Sequence, residues 1–285
     1  MTSLRQLLNT EQLVVAPGVY DGLTVRLVEQ AGFQAAYMTG AGTAAAHGFP
    51  DYGIVTATEM VETAGIIACA TKLPVIADAD TGYGNELNVT RTVRDFEMRG
   101  VSAIHIEDQV APKRCGHLDG KQVISAEEFV SKIGAAVRAR RNPDFMIIAR
   151  TDSRAVADLD EAISRANAAL AVGADMAFVE AVRSKEELAA VTARVDGPCI
   201  LNVVPGGKTP PVTFVEAKAM GYRLAILPGA LLQAIVPAID AALRRLVQTG
   251  LPEPFAPTIE IAQAFRRFGA SEWDALRSSF AGKSV

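Results

Sequence analysis

Eight short apolar segments alternate with eight helical patterns, and this predicts a (β/α)8 barrel of the TIM type. The segments are nearly all apolar, as strands covered on both faces must be. They recur at helix-sized intervals over about 250 residues, the size of such a barrel. The first turn, Pro17-Gly18-Val19-Tyr20-Asp21-Gly22, lacks the glycine spacing that a doubly wound nucleotide-binding sheet places there.

In chain order the strands are expected at residues 13–16, 35–38, 74–77, 103–106, 145–149, 176–179, 199–203 and 224–227. A helix over 22–30 stops before Gly32, and one over 86–99 stops at Gly100. The Ala- and Ile-rich stretch 58–71 is a third. Ser125-Ala126-Glu127-Glu128 opens the next with a side-chain cap and first-turn acids, and Ser184-Lys185-Glu186-Glu187 opens 184–195 in the same way. Helices over 158–172, 213–220 and 229–248 end at Gly173, Gly221 and Gly250. Gly40-Ala41-Gly42 reads as a tight turn whose backbone N–H groups could hold a carboxylate. The barrel domain is therefore drawn over residues 1–250 and a helical extension over 251–285. The extension starts with a proline-rich stretch, 251–257, followed by helices over 258–268 and 271–280. Their apolar side chains, Phe265 and Trp273 among them, need a partner surface, so the extension is read as an oligomer-packing element.

Hydrophobic residues make up 49% of the 285, enough for a sizeable core. The net charge is −4 with both signs dispersed, so neither nucleic acid nor a membrane surface is an expected partner. No apolar run is long enough for a membrane span, and the first residues lack a secretory pattern. Three cysteines without metal-type spacing point to a reducing, cytoplasmic setting.

In such barrels the active site lies at the C-terminal ends of the strands. Here those ends read Tyr37-Met38-Thr39-Gly40, Asp78-Ala79-Asp80, Glu107-Asp108, Arg150-Thr151-Asp152, Glu180 and Asn202. Carboxylates ending consecutive strands would repel one another in a dry interior, and a bound cation resolves this. Hard oxygen ligands without a His/Cys cluster suit magnesium, with manganese as the alternative. The guanidinium of Arg150 is a natural clamp for a substrate carboxylate. His105, inside an apolar strand, reads as a core residue.

The loop Lys113-Arg114-Cys115-Gly116-His117 follows the Glu107-Asp108 strand end. Its bases should favour the Cys115 thiolate, and its glycines permit movement, so Cys115 reads as a reactive residue on a mobile lid. Cys69 and Cys199 fall in a helix and a buried strand and should react slowly.

Asp78-Ala79-Asp80-Thr81-Gly82-Tyr83-Gly84, Ile104-His105-Ile106-Glu107-Asp108-Gln109 and the Lys-Arg-Cys-Gly-His loop occur in an order that resembles the isocitrate lyase/phosphoenolpyruvate mutase superfamily. Within it the chain is most similar to 2-methylisocitrate and 2,3-dimethylmalate lyases. The resemblance implies magnesium on Asp78, with Asp51, Asp80 and Glu107 holding metal waters. It implies a pyruvate-like substrate half held by Tyr37, Thr39, the Gly40-Ala41 backbone and Arg150, with Lys113, Gly116 and Asn202 as further substrate contacts. It implies Cys115 as the lyase acid/base, supported by His117 and Glu180, and either Tyr37 or a water held by the metal as the base for the substrate hydroxyl. It also implies a homotetramer that exchanges helices between subunits. Phosphonopyruvate-forming mutases and oxaloacetate decarboxylases of the family lack such a cysteine, so carbon–carbon cleavage is expected. Carboxyphosphonoenolpyruvate mutase-like chemistry and oxaloacetate decarboxylation are the alternatives. After Asn202 the chain reads Val203-Val204 where methylisocitrate lyases carry polar groups, which favours a more apolar substrate end, such as a methylated dicarboxylate.

Overall fold

The structure, a computed structural model, describes residues 2–10, 12–251 and 259–280. A short helix, α1 (Leu4–Leu8), precedes the first strand, β1 (Val14–Val19). Then come α2 (Gly22–Gln30), β2 (Ala36–Met38), α3 (Gly40–Ala46), α4 (Ala57–Ala70) and β3 (Val75–Asp78). The alternation continues with α5 (Glu86–Met98), β4 (Ala103–Glu107), α6 (Ala126–Ala139) and β5 (Met146–Thr151). The last strands are β6 (Met176–Val179), β7 (Ile200–Asn202) and β8 (Leu224–Leu227). Between them lie α7 (Ser153–Val156), α8 (Leu159–Ala171), α9 (Lys185–Arg194) and α10 (Phe214–Ala219), and α11 (Ala230–Thr249), α12 (Ile261–Arg267) and α13 (Ala270–Phe280) follow.

The eight strands pair in parallel in the order β6-β5-β4-β3-β2-β1-β8-β7. A parallel bridge from Ala177 in β6 to Cys199 beside β7 brings the two edges together, so the sheet is a nearly closed (β/α)8 barrel, as the alternation predicts. Two strands run two or more residues past their expected ends because their neighbours continue beside them, Val19 opposite Met38 and Thr151 opposite Val179, and β3 and β4 run on by one. The caps also form where the sequence places them: Ser125 Oγ accepts from Glu128 N and Ser184 Oγ from Glu187 N.

Three short helices escape the periodicity argument. Five residues of α1 and four of α7 are too few to show a period. The stretch Gly40-Ala41-Gly42 is the first turn of α3, capped by Thr39 Oγ1 on Gly42 N at 3.3 Å, and not a free turn. Its glycines disguise it, since glycine is a poor helix former.

Side chains alternate across each strand, so every second residue points into the barrel. The inward set is apolar at the bottom: Ile76, Ala103, Ile148, Met176, Ile200 and Leu224 pack in one buried cluster with Leu4 and Leu8 of α1. Two or four residues further up, the same inward set becomes Asp78, His105, Glu107, Arg150, Glu180 and Asn202. The outward faces pack on the helices in two further clusters, one around Ile104, Phe96 and Phe129, the other around Val179, Leu188 and Leu201.

The chain packs as two units, Met1–Leu232 and Gln233–Val285. In the second unit α11 contains Pro237, and α12 turns into α13 at Gly269, whose φ of 92° suits glycine. Of the C-terminal helices, α12 forms within its expected range and α13 begins one residue before its own. The expected proline-rich stretch, from Pro252 onward, lies outside the described residues. No helix among the described residues is long and apolar enough to cross a membrane.

Leu4 is fully buried beneath the barrel floor, so Leu4→Ala should lower stability by about 3 kcal/mol, the usual cost of a buried leucine cavity. Urea unfolding followed by circular dichroism reads this, and an unchanged midpoint would show that α1 is no plug.

Candidate active site

The polar half of the barrel interior divides into an acidic side and a cationic side. On the acidic side Asp78 ends β3. Its carboxylate accepts from Gly40 N at 3.2 Å and Asp80 N at 2.9 Å, and the Tyr37 hydroxyl lies 3.4 Å away. Gly40 is required there, since a Cβ would sit 2.4 Å from Asp78 Oδ2. Burial opposes ionisation of Asp78, but His105, Lys113, Arg150 and the Asp80 amide outweigh it and hold the carboxyl below its usual range. Asp80 has a left-handed backbone (φ 45°). Burial, with Asp78 and Asp51 nearby, pushes it up to about 6 despite Lys113 Nζ at 2.8 Å. Lys113 also donates to Asp51, so its ammonium sits between the two carboxylates. Glu107 is fully buried and its carboxyl is pushed well above the usual range, chiefly by burial.

His105 was expected as a plain core residue. It is fully buried, but its Nε2 lies 2.8 Å from the Tyr37 hydroxyl and 3.6 Å from Asp78 Oδ1. Burial pushes it down to about 4, so the imidazole is neutral at pH 7. Period 2 carries it into the same cavity as Asp78 and Glu107, and that was the signal available in the sequence.

This side can hold a divalent cation. Both Glu107 oxygens are buried with no hydrogen-bond partner among the described residues, although Arg150 Nε approaches Oε2 to 3.2 Å, and Asp80 Oδ1 has the shared Lys113 ammonium at 2.8 Å. Unmatched buried carboxylate oxygens call for a cation, and the donor set is hard oxygen throughout. No group of three His, Cys, Asp or Glu side chains among the described residues converges as a direct cage. The set therefore fits an ion that keeps several waters, as magnesium does.

On the cationic side Arg150 lies over the Phe178 ring, 5.1 Å from its centroid. Its Nε is 3.0 Å from Asp152 Oδ2 and its Nη2 is 3.4 Å from Glu180 Oε2. Burial disfavours its charge, but Asp152, Glu107 and Glu180 more than restore it. Glu180 is bent back by Ala181 N at 2.7 Å, across a residue with φ 57°, and accepts from Asn202 Nδ2 at 2.9 Å. Asn202 Oδ1 is buried without a donor among the described residues. Thr39 is buried beside this mouth, and the Ala41 N–H in the first turn of α3 has no protein acceptor among the described residues.

The segment 109–123 between β4 and α6 covers both sides. Its ends are tied by an antiparallel bridge, Gln109 to Val123, and Gln109 grips the backbone of Arg114 through both side-chain amide atoms. Lys113 reaches the acidic side. Gly116 rests on the cationic side, where a Cβ would lie 2.5 Å from Arg150 Nη2 and 2.6 Å from Glu180 Cγ. His117 Nδ1 accepts from Lys208 N at 3.0 Å, so the neutral ring carries its proton on Nε2, 3.3 Å from Glu180 Oε1.

The expected bias of Cys115 towards thiolate is overturned. Burial raises the thiol above its ordinary value, and the charges of Asp51 and Glu180 add to this. A hydrogen bond from the His117 backbone and the charge of Arg150 only partly oppose it. The lid's bases do not help because Lys113 is already neutralised by Asp51 and Asp80, while burial pushes the His117 imidazole below its usual range. Cys115 is therefore a neutral thiol at pH 7, the form that gives a proton. The expectation for Cys69 also changes: it is exposed on α4 and open to reagents, whereas Cys199 is buried and pushed up to about 12.

Two acids that the sequence places at strand ends were given no role there. Asp152, two residues beyond Arg150 on β5, joins Arg150 to Lys121 of the lid, whose Nζ is 2.9 Å from Asp152 Oδ1. Asp108 turns the other way, into the helix layer, where Thr151 Oγ1 (2.7 Å), Asp152 N (2.8 Å) and Arg165 Nη1 (3.1 Å) hold it.

The family model described as phosphoenolpyruvate phosphomutase matches residues 4–247. A 2,3-dimethylmalate lyase of Eubacterium barkeri is 49% identical over 80% of this chain and 79% of its own length. A 2-methylisocitrate lyase of Aeropyrum pernix is 43% identical over 87% of this chain and 80% of its own. Among solved structures, oxaloacetate acetylhydrolase in complex with 3,3-difluorooxalacetate superposes with a TM-score of 0.94 at 41% identity, covering 99% of this chain and 97% of that one. Phosphonopyruvate hydrolase complexed with oxalate and magnesium has a TM-score of 0.87 at 29% identity, covering 98% and 97%.

With a raised thiol pKa, less Cys115 is thiolate at neutral pH than in a free thiol. In a Cys69→Ser background, alkylation of Cys115 by iodoacetamide should still accelerate above pH ~8.5, the ordinary thiol midpoint. A rate that plateaus below that pH would reverse the assignment.

Proposed function

The chain belongs to the phosphoenolpyruvate phosphomutase family, and from that premise we propose a magnesium-dependent carbon–carbon lyase of the isocitrate lyase/phosphoenolpyruvate mutase superfamily. Its substrate is a 2-hydroxy di- or tricarboxylate, split into a pyruvate-like 2-oxo acid and a short carboxylate. The observation that supports this is the half-buried Cys115 thiol, held protonated, on the lid between Lys113, which reaches Asp51 and Asp80, and Gly116, which packs on Arg150 and Glu180.

A divalent cation at Asp78, with Asp51, Asp80 and Glu107 around it, supplies positive charge for the substrate's C2 oxygen and adjoining carboxylate. Arg150 and the free Ala41 N–H bind that carboxylate, and Thr39 lines its seat. Burial, with Asp78 beside it, holds the Tyr37 phenol protonated. Tyr37 would take the C2 hydroxyl proton only if its own passed to His105 Nε2, 2.8 Å away, and a water held by the cation is the other candidate base. As the C2–C3 bond breaks, its electron pair moves into the carboxylate on C3. The Cys115 thiol then gives its proton to C3, leaving a thiolate beside Arg150. Glu180, Asn202 and the His117 Nε2–H surround the departing fragment, and Lys113 with Gly116 completes the cover.

A cavity of ≈ 400 Å³ beside Asn202 is lined by Val203, Val204 and Val212. Its apolar wall supports a methyl-bearing dicarboxylate of the 2,3-dimethylmalate type over the tricarboxylate 2-methylisocitrate. Exposed apolar side chains on the second unit, Ile239, Leu243, Phe265, Trp273 and Phe280 among them, support a homotetramer in which the C-terminal helices, including the 251–285 extension, pack on neighbouring subunits. The three cysteines are unpaired, which suits a cytoplasmic enzyme.

The test is a screen for released 2-oxo acid on 2,3-dimethylmalate, 2-methylisocitrate, isocitrate, citramalate and oxaloacetate. Turnover should vanish on exhaustive chelation and return with magnesium, and full activity without metal would sink the cofactor assignment. A phosphonate product in place of two organic acids would select the mutase alternative. On the best substrate Cys115→Ser should lose about 10²–10⁴-fold in kcat while still binding, since the hydroxyl is a far weaker acid. A wild-type rate would remove Cys115 from the mechanism.

A further inference from the structure

The cleavage step makes no use of Asp152 or Lys121, yet both are buried against residues that it does use. Asp152 is fully buried, and Lys121 is 8% exposed, unusual for a lysine. Removing an ammonium from water is costly unless a well-placed anion meets it. Here Asp152 stands on the barrel and Lys121 on the lid, so the pair exists only when the lid lies down. The same ammonium donates to the carbonyl of Gly116, the residue in contact with Arg150 Nη2.

The two legs of the Arg150–Asp152 contact are unequal. Nε to Oδ2 is 3.0 Å, but Nη2 to Oδ1 is 3.5 Å. A carboxylate facing a guanidinium alone takes two short parallel bonds. The long leg ends on the oxygen that Lys121 occupies at 2.9 Å. Seating the lid thus draws Oδ1 away from Arg150 and loosens the hold of Asp152 on Nη2, whose other carboxylate contact is Glu180 Oε2 at 3.4 Å, while Oδ2 keeps Nε fixed.

We propose that Lys121 and Asp152 form a latch that couples closure of the 109–123 lid to release of the Arg150 Nη2 for substrate, which makes both of them positioning residues. The latch rests on the reading of Arg150 as a carboxylate clamp, but not on which bond is cleaved.

Oxalate with magnesium is the probe, since its planar carboxylates resemble a 2-oxo acid enolate. Binding is read by calorimetry and lid closure by hydrogen exchange of the 109–123 amides, neither of which requires turnover. In the wild type, oxalate should protect these amides. Lys121→Met should bind oxalate about tenfold more weakly, a common size for coupling between two sites. Even at saturation its lid should keep exchanging, and Lys121→Arg should restore both readouts. Asp152→Asn, which keeps the shape and removes the charge, should lose lid protection in the same way. A simple loss of positive charge would weaken binding but leave saturated protection intact. Wild-type protection in saturated Lys121→Met or Asp152→Asn would therefore overturn the latch, as would a wild-type protein that fails to bind oxalate. Absence of lyase activity on every substrate would defeat the proposed reaction and leave these results standing.

Discussion

Buried carboxylates crowd one end of a nearly closed barrel, and the arrangement around the mouth answers to that crowding. Asp78, Asp80, Glu107, Asp152 and Glu180 are each under 10% exposed. In so dry a place like charges cannot all ionise without cations among them. Arg150 meets three of them and Lys113 is shared between Asp80 and Asp51, yet both Glu107 oxygens are left without a hydrogen bond among the described residues. That remaining deficit is of the kind a divalent ion would relieve.

The lid is part of this balance. Two of its lysines are buried against barrel carboxylates, Lys113 on Asp80 and Lys121 on Asp152, and Lys208 from the loop after β7 pairs with Asp119 at its outer edge. The lid lies down because its charges are matched there. The side effect falls on Cys115. With Lys113 engaged by Asp51 and Asp80, burial dominates the thiol and keeps its proton on. A sequence rich in bases next to a cysteine suggests a thiolate. The folded loop produces an acid, and protonating a carbon fragment needs an acid.

The floor of the barrel has the opposite character. Apolar inward residues and the α1 leucines leave no polar group to disturb, so the strand frame is held rigid below while charged side chains meet above. Cross-strand register then decides who meets whom. It sets Glu107 beside Arg150 and Asp78 beside His105, pairs that sit on different strands.

How much of this was legible in the chain follows from the range of the forces involved. Strand and helix alternation, caps at Ser125 and Ser184 and the inward side of each strand depend on neighbours within a few residues, so the sequence determines them. Carboxylates at successive strand ends were visible as well, because the fold class alone says that strand ends converge. What the sequence could not decide depends on distances between strands and across the lid. Neutral His105 touching Tyr37, Asp108 facing the helices, and Lys121 reaching Asp152 all rest on contacts 31 or more residues apart in the chain. The protonation of Cys115 is the sharpest case. Adjacent bases point one way and burial the other, and only the tertiary structure, which buries the thiol and supplies partners for the bases, determines which effect wins.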